Sequence, residues 1–161
     1  MDTLRWILGV LALLVLLVWL AGRFGALRGT PPADLGVREG RFKPPSRTPN
    51  SVSSQADLHP EHPMREYARV AALPASGAAA ASIARVRAVV ERMPGATIVE
   101  QRDDYLYARF ETPMLRFVDD VEFWYDPAAQ SIAVRSASRI GRKDFDVNRK
   151  RIEAIRGQLL H

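Results

Sequence analysis

The strongest pattern in the chain is an uninterrupted apolar run near its N-terminus. Residues 6–22 read WILGVLALLVLLVWLAG, seventeen residues without a charge. At about 1.5 Å per helical residue this run reaches roughly 25 Å, the short end of the lengths that cross a bilayer. Trp6 and Trp19 lie near its two ends, where indole rings favour the headgroup region. The pattern predicts a transmembrane anchor over residues 6–22, behind an N-terminal flank of residues 1–5.

A cleaved signal peptide is the competing interpretation of this run. Its apolar core is usually shorter and is followed by a small-x-small site. After Leu20 the chain continues Ala-Gly-Arg-Phe-Gly-Ala. The large side chains of Arg23 and Phe24 occupy positions where such a site needs small residues. The sequence has no cysteine, so a lipoprotein anchor is excluded. We therefore expect an uncleaved anchor.

Two later segments have the periodicity of amphipathic helices. Ser76 is the expected N-cap of the first, and Pro94-Gly95 is its expected stop. The second extends from about Phe145 to Leu160. The predicted buried positions are Ala79, Ile83, Val86, Val90 and Met93 in the first helix, and Asn148, Ile152, Ile155 and Leu159 in the second.

Alternating apolar and polar residues between these helices predict β-strands. The stretches are residues 97–101, 105–111, 116–125 and 131–140. The turns between them are short enough for hairpins, so the strands form an antiparallel meander. The order α-β-β-β-β-α predicts an α+β fold, with a four-stranded sheet covered on one face by two helices.

The register of the last hairpin follows from its charges. We predict that Tyr125 pairs with Ile132. This register places Glu122 opposite Arg135, whereas the alternative sets two arginines opposite each other.

Period two then divides the side chains of these two strands between the faces of the sheet. The helix-covered face receives Phe117, Asp119, Val121, Phe123, Tyr125, Ile132, Val134, Ser136, Ser138 and Ile140. A bare buried carboxylate costs several kcal/mol, so Asp119 needs hydrogen-bond donors. The expected donors are the hydroxyls of Ser136 and Ser138 and the amide of Asn148.

The opposite face is the favoured surface for contacts. Its expected members are Tyr105, Tyr107, Arg109, Val118, Asp120, Glu122, Trp124, Arg135 and Arg139. A mixed aromatic and charged surface of this kind suits a protein interface or a polar ligand groove. The equally weighted alternative is a solvated lattice of ion pairs, partly covered by residues 49–72.

Composition separates the anchor from the domain that follows. Residues 23–47 hold six Lys or Arg against two acids and are rich in Pro and Gly, which predicts a basic, extended tether that contacts anionic lipid.

We expect irregular structure over the polar, turn-rich residues 49–63. Residues 48–161 suffice for one globular α+β domain. Because the tether supplies most of the net charge of +5, we predict no nucleic-acid partner.

Four ordered motifs resemble a known family. They are PNSVSSQA (49–56), RFVDDVEF (116–123), RSASRIG (135–141) and DFDVNRKRIEAIR (144–156). Over about residues 48–160 the chain resembles the family catalogued as domain of unknown function 1499, found in bacteria and plant plastids. The resemblance implies no defined activity, but it implies secretion or membrane anchoring. The chain departs from the family pattern at Arg142-Lys143 and at Asp146.

Charge and resemblance favour different orientations in the membrane. The basic residues after the anchor favour a cytoplasmic domain, although this rule is weak for a lone anchor. The resemblance favours a domain outside the cytoplasm. We expect a single-pass protein of the bacterial inner membrane with its C-terminal domain in the periplasm, and the cytoplasmic orientation stays the alternative.

The last helix offers one candidate anion site. Arg139, Arg142 and Lys143 precede its N-terminus, which attracts anions through free N–H groups. Asp144 and Asp146 occupy capping positions, so capping by the chain's own carboxylates is the favoured interpretation.

Catalysis and metal binding are weaker interpretations. A nucleophilic Ser136 or Ser138 beside Asp119 would need a base, and the histidines that could supply it, His59 and His62, are remote in sequence. Those histidines could bind a metal with Asp103-Asp104 or Asp119-Asp120. Adjacent acids on a strand, however, point to opposite faces. We predict no catalytic residue, no metal and no cofactor.

These observations predict a membrane-anchored, extracytoplasmic binding or assembly factor. Its expected partners are membrane lipid and an unidentified protein, with a small anionic ligand as a further candidate. The alternative is a hydrolase or ligand-modifying enzyme that uses the neighbourhood of Asp119, Ser138 and Arg139. The candidate binding residues are Asp119, Asp120, Glu122, Arg135, Ser136, Ser138, Arg139 and Asn148.

Overall fold

An antiparallel sheet organises the domain in the computed structural model, which describes residues 2–160. The strands are β1 (Ser51–Ser53), β2 (Leu73–Pro74), β3 (Ala96–Gln101), β4 (Tyr105–Glu111), β5 (Val118–Asp126) and β6 (Ser131–Ser138). The helices are α1 (Asp2–Arg23), α2 (Arg65–Ala68), α3 (Ala79–Val90) and α4 (Val147–Leu159), with a 3-10 turn at Ala56–Leu58. The prediction of an α+β fold with an N-terminal apolar helix is confirmed.

The sheet has six strands, so the predicted count of four is wrong. The meander β3–β4–β5–β6 is present, and both β1 and β2 add to it by pairing antiparallel with β6. β1 lies within residues 49–63, where irregular structure was predicted. Strands of three and two residues are too short to show an alternating pattern, and only their pairing with β6 defines them.

The predicted register between β5 and β6 is confirmed. Tyr125 pairs with Ile132, and Glu122 lies opposite Arg135. β5 begins two residues later than predicted, because Arg116 adopts a left-handed conformation (φ 59°) that interrupts an extended strand. β6 ends at Ser138, so Ile140 lies beyond the sheet.

The main core lies between one face of the sheet and helices α3 and α4. It contains Ile83, Val86, Val90, Leu106, Phe123, Val134, Ile152 and Ile155, as the periodicity of both helices predicts. Ala79 and Met93 are only partly buried. The predicted cap of α3 is wrong: Ala78 occupies the N-cap position, and the backbone N–H of Ser76 donates to the Ser82 hydroxyl instead.

The segment after α1 covers the opposite face of the sheet, which we call the second face. Phe42 is 2% exposed and packs in a small cluster with Tyr105, Tyr107 and Ala133. Residues 23–47 are irregular, as their proline content predicts, but they lie on the sheet rather than extending away from it. Proline-rich chain without periodicity gives no sequence signal for such packing.

Helix α1 is longer than the predicted run of residues 6–22. Its 22 residues reach about 33 Å, and the most apolar window has none of its residues buried inside the domain. By length and composition the helix can cross a membrane, and a signal sequence meets the same criterion.

Candidate functional site

A polar network lies under α4, and the structure brings four of the predicted residues into it. The Ser136 hydroxyl donates to Oδ1 of Asn148 at 2.5 Å, and Nδ2 of Asn148 donates to the Ser138 hydroxyl at 3.1 Å. Asp119 lies opposite Ser138 in the sheet. Asn148 and Ser136 are completely buried. The amide therefore bridges β6 and α4 at a point where water is excluded.

The partner of Asp119 is Arg151, a residue that the sequence analysis did not single out. Nη2 of Arg151 lies 2.5 Å from the carboxylate, and the side chain of Arg151 is only 9% exposed. Nη1 of the same guanidinium donates to Ser136 and Asn148. The earlier prediction that the two serines and Asn148 donate to Asp119 is therefore wrong. Helical spacing could have found Arg151, because it lies one turn after Asn148 on the same face.

The N-terminus of α4 is occupied by Asp144. Its carboxylate accepts hydrogen bonds from the backbone N–H and side-chain amide of Asn148, from the backbone N–H of Asp146 and from the Tyr67 hydroxyl. Burial alone would raise the pKa of Asp144, but the hydrogen bonds from Tyr67 and Asn148 outweigh it and the pKa falls below its usual value.

Capping by the chain's own carboxylate, the favoured interpretation of the sequence, occupies the position of the candidate anion site. Arg142 and Lys143 are exposed, whereas Arg139 turns to the second face, so the three cations do not converge. Asp146 takes the N-cap position in a left-handed conformation, but its side chain forms no capping hydrogen bond. Asp144 is thus the effective capping residue of the two that were predicted.

Two buried ion pairs lie on the second face. Arg139 binds both oxygens of Asp120, at 2.7 and 2.9 Å, and the Tyr107 hydroxyl donates to the same carboxylate at 2.6 Å. Burial and the hydrogen bond to Asp120 raise the pKa of Tyr107 to about 12. In the second pair, Nη1 of Arg135 lies 3.6 Å from Oε2 of Glu122.

Glu122 is the most deeply buried acid of this face. Its Oε1 accepts from the backbone N–H of Gly36 at 2.6 Å and from the Tyr105 hydroxyl at 2.9 Å. Burial raises the pKa of Glu122 and lowers the pKa of Arg135, because each would lose hydration as an ion. The contact from Gly36 joins the segment after α1 to the centre of the sheet.

The second face is therefore closed where an open contact surface was predicted. Tyr105, Glu122 and Arg135 are each less than 5% exposed, whereas Arg109 remains exposed and Trp124 half-buried. The cover consists of residues 34–43 and not of residues 49–72. The alternative of an ion-pair lattice describes this face better, but the lattice is buried rather than solvated.

The two histidines lie apart from the serines. Nδ1 of His62 accepts from the backbone N–H of Met64, and His59 lies with His62 in a shallow groove among prolines. Within residues 2–160 neither histidine hydrogen-bonds to Ser136 or Ser138. The same residues include no group of three or more His, Cys, Asp or Glu side chains arranged to hold a metal ion.

A cleft that the sequence did not indicate lies at the end of the sheet nearest α1. It encloses about 600 Å³ and is lined by four arginines, Arg28, Arg109, Arg116 and Arg139. Glu111 is the carboxylate that lines it. We call it the arginine cleft. Arg28 and Arg139 are far in sequence from Arg109 and Arg116, so no spacing rule could group all four.

Comparison with known proteins identifies a family but no activity. The family model described as Protein of unknown function (DUF1499) matches residues 41–159, which is well over half of the chain. No curated protein and no solved structure gives a significant match.

Proposed function

The chain belongs to the DUF1499 family, and from that premise we propose that it is a membrane-anchored binding or assembly factor rather than an enzyme. Helix α1 serves as the anchor, and residues 23–160 form the binding domain. We further propose that the domain lies in the periplasm of a bacterium, attached to the inner membrane. This placement is supported by the apolar, unburied α1 and by the anchoring that the family resemblance implies.

The proposal rests mainly on one observation: the conspicuous polar side chains bind one another inside the fold. Asp119 is paired with Arg151, and the hydroxyls of Ser136 and Ser138 are bound to Asn148. A nucleophilic serine needs an adjacent base. Here the groups beside Ser136 are an amide and a guanidinium, and neither accepts a proton at neutral pH. These contacts support a role in joining β5, β6 and α4.

The orientation is tested with fusions to the C-terminus of the full chain. An alkaline phosphatase fusion reports a periplasmic end, and a green fluorescent protein fusion reports a cytoplasmic end. We expect phosphatase activity and no fluorescence. The reverse result would place the domain in the cytoplasm and overturn this part of the proposal.

The binding role is tested by cross-linking the full chain in its native membrane and identifying captured proteins. We expect a specific protein that is lost with a domain-disrupting substitution such as Asp119→Ala. The enzyme alternative is tested in parallel with a panel of ester and amide substrates. Turnover that disappears in Ser138→Ala, with folding intact, would replace the binding proposal by a hydrolase.

A further inference from the structure

The arginine cleft is fixed at the end of α1. Gly22 contacts the turn between β4 and β5 so closely that a Cβ at this position would lie 2.8 Å from the carbonyl oxygen of Leu115. Nη1 of Arg116 donates to the carbonyl oxygen of Arg23 at 3.1 Å. These contacts attach the membrane-proximal end of the sheet directly to the last turn of the anchor. If α1 spans the bilayer, the cleft lies at the level of the lipid headgroups.

Positive charge in the cleft exceeds what the protein itself neutralises. Arg28 and Arg116 share the single carboxylate of Glu111, at 2.9 and 2.7 Å. Arg109 lines the cleft, is exposed, and has no ion-pair partner within residues 2–160. Its neighbour across the strands is Asp120, whose two oxygens are already bound by Arg139. An anion in the cleft would therefore meet guanidinium groups that are not fully paired.

Exposed apolar side chains flank the same end of the domain. Phe24 follows α1 and is 84% exposed, and Met114 at the tip of the β4–β5 turn is 71% exposed. In water the exposure of these apolar side chains is unfavourable. At a membrane surface they can insert among the acyl chains next to the headgroups. Apolar tips beside a basic cleft are the combination expected of a surface that contacts anionic lipid.

We propose that the arginine cleft binds the phosphate of an anionic phospholipid, and this inference rests on the proposed anchoring by α1. Arginine donates pairs of parallel hydrogen bonds to phosphate oxygens. Within residues 2–160 Arg109 has no ion-pair partner, and Arg116 shares the carboxylate of Glu111 with Arg28, so both guanidinium groups can donate to a phosphate. The volume of about 600 Å³ suits a headgroup of this size. The bound lipid fixes the domain against the membrane, so that its exposed surfaces face partners in a defined orientation.

The test uses the full chain in uncharged detergent micelles, titrated with phosphatidylglycerol and followed by native mass spectrometry. Parallel titrations use phosphatidylcholine and inorganic phosphate. We expect phosphatidylglycerol to bind more tightly than either. Arg109→Gln should weaken its binding about fivefold, the effect of one basic residue near an anionic surface. Arg109 is exposed and forms no ion pair with any residue from 2 to 160, so this substitution should leave the fold intact.

Arg102→Gln is the matched control, because Arg102 is an exposed arginine at the opposite end of β4. Its affinity for phosphatidylglycerol should equal that of the wild type. Equal binding of phosphatidylcholine, equally tight binding of inorganic phosphate, or equal losses in Arg102→Gln and Arg109→Gln would each overturn the lipid site.

Flotation with neutral phosphatidylcholine vesicles separates this inference from the anchoring on which it rests. Wild type and Arg109→Gln should both float, because α1 alone suffices for insertion. Failure of both to float would overturn the anchor, whereas normal flotation without selectivity for phosphatidylglycerol would overturn the cleft alone.

Discussion

Asp119 on β5 and Arg151 on α4 form an ion pair of 2.5 Å in which both side chains are less than 10% exposed. The guanidinium also stacks over the ring of Phe110, 4.5 Å from its centroid. Two charges so far from water are stable only together, because either alone would lose its hydration without compensation. The pair therefore fixes the position of α4 on the sheet.

Substitution of Asp119 by Ala should lower the free energy of unfolding by about 3 kcal/mol, since it leaves the charge of Arg151 buried and unpaired. The measurement is denaturant unfolding of the full chain in micelles, followed by near-UV circular dichroism. Asp103→Ala, which removes an exposed acid from the β3–β4 turn, is the control and should leave stability unchanged. Equal stability of both variants would refute the structural role of Asp119.

Asn148→Ala should destabilise the domain by about 2 kcal/mol, because it leaves buried hydroxyl groups without their partner. A double-mutant cycle with Ser136→Ala, measured by the same unfolding assay, tests the specific contact. The two substitutions should be less costly together than the sum of their separate effects. Additive losses would show that the Ser136–Asn148 hydrogen bond contributes nothing of its own.

Asp144 should make stability depend on acid pH. Its folded pKa lies below that of the unfolded chain, so its contribution is complete above about pH 4 and is lost as the pH falls through the folded value. The stability difference between wild type and Asp144→Asn should therefore be largest near neutrality and shrink towards pH 3. A difference that is constant across this range, or that grows on acidification, would contradict the assignment.

Phe42→Ala should destabilise the domain by about 3 kcal/mol, because it opens a cavity between the segment after α1 and the second face. The matched control is Phe145→Ala, which removes a phenylalanine that is 82% exposed. Urea unfolding of both variants gives the comparison. If they are equally stable, residues 34–43 do not form part of the folded domain.

Local pattern was sufficient for much of the fold. The uninterrupted apolar run predicts α1, and period two predicts which side chains of β5 and β6 face the core. Charge then selects the register, because only one alignment pairs Glu122 with Arg135. These features are encoded by neighbours along the chain or across one short hairpin, so the sequence displays them directly. The strands β1 and β2 have no comparable signal in the sequence. They are defined only by their pairing with β6.

The amino-acid sequence by itself determined the anchor-like helix, the four-stranded meander and the family. Only the tertiary structure decided that Arg151 pairs with Asp119, that Asp144 rather than Asp146 caps α4, and that residues 34–43 cover the second face. It also assembled the arginine cleft from Arg28, Arg109, Arg116 and Arg139. Most of these contacts join residues far apart in the chain, and their strength depends on shared burial, which arises only when the elements pack together.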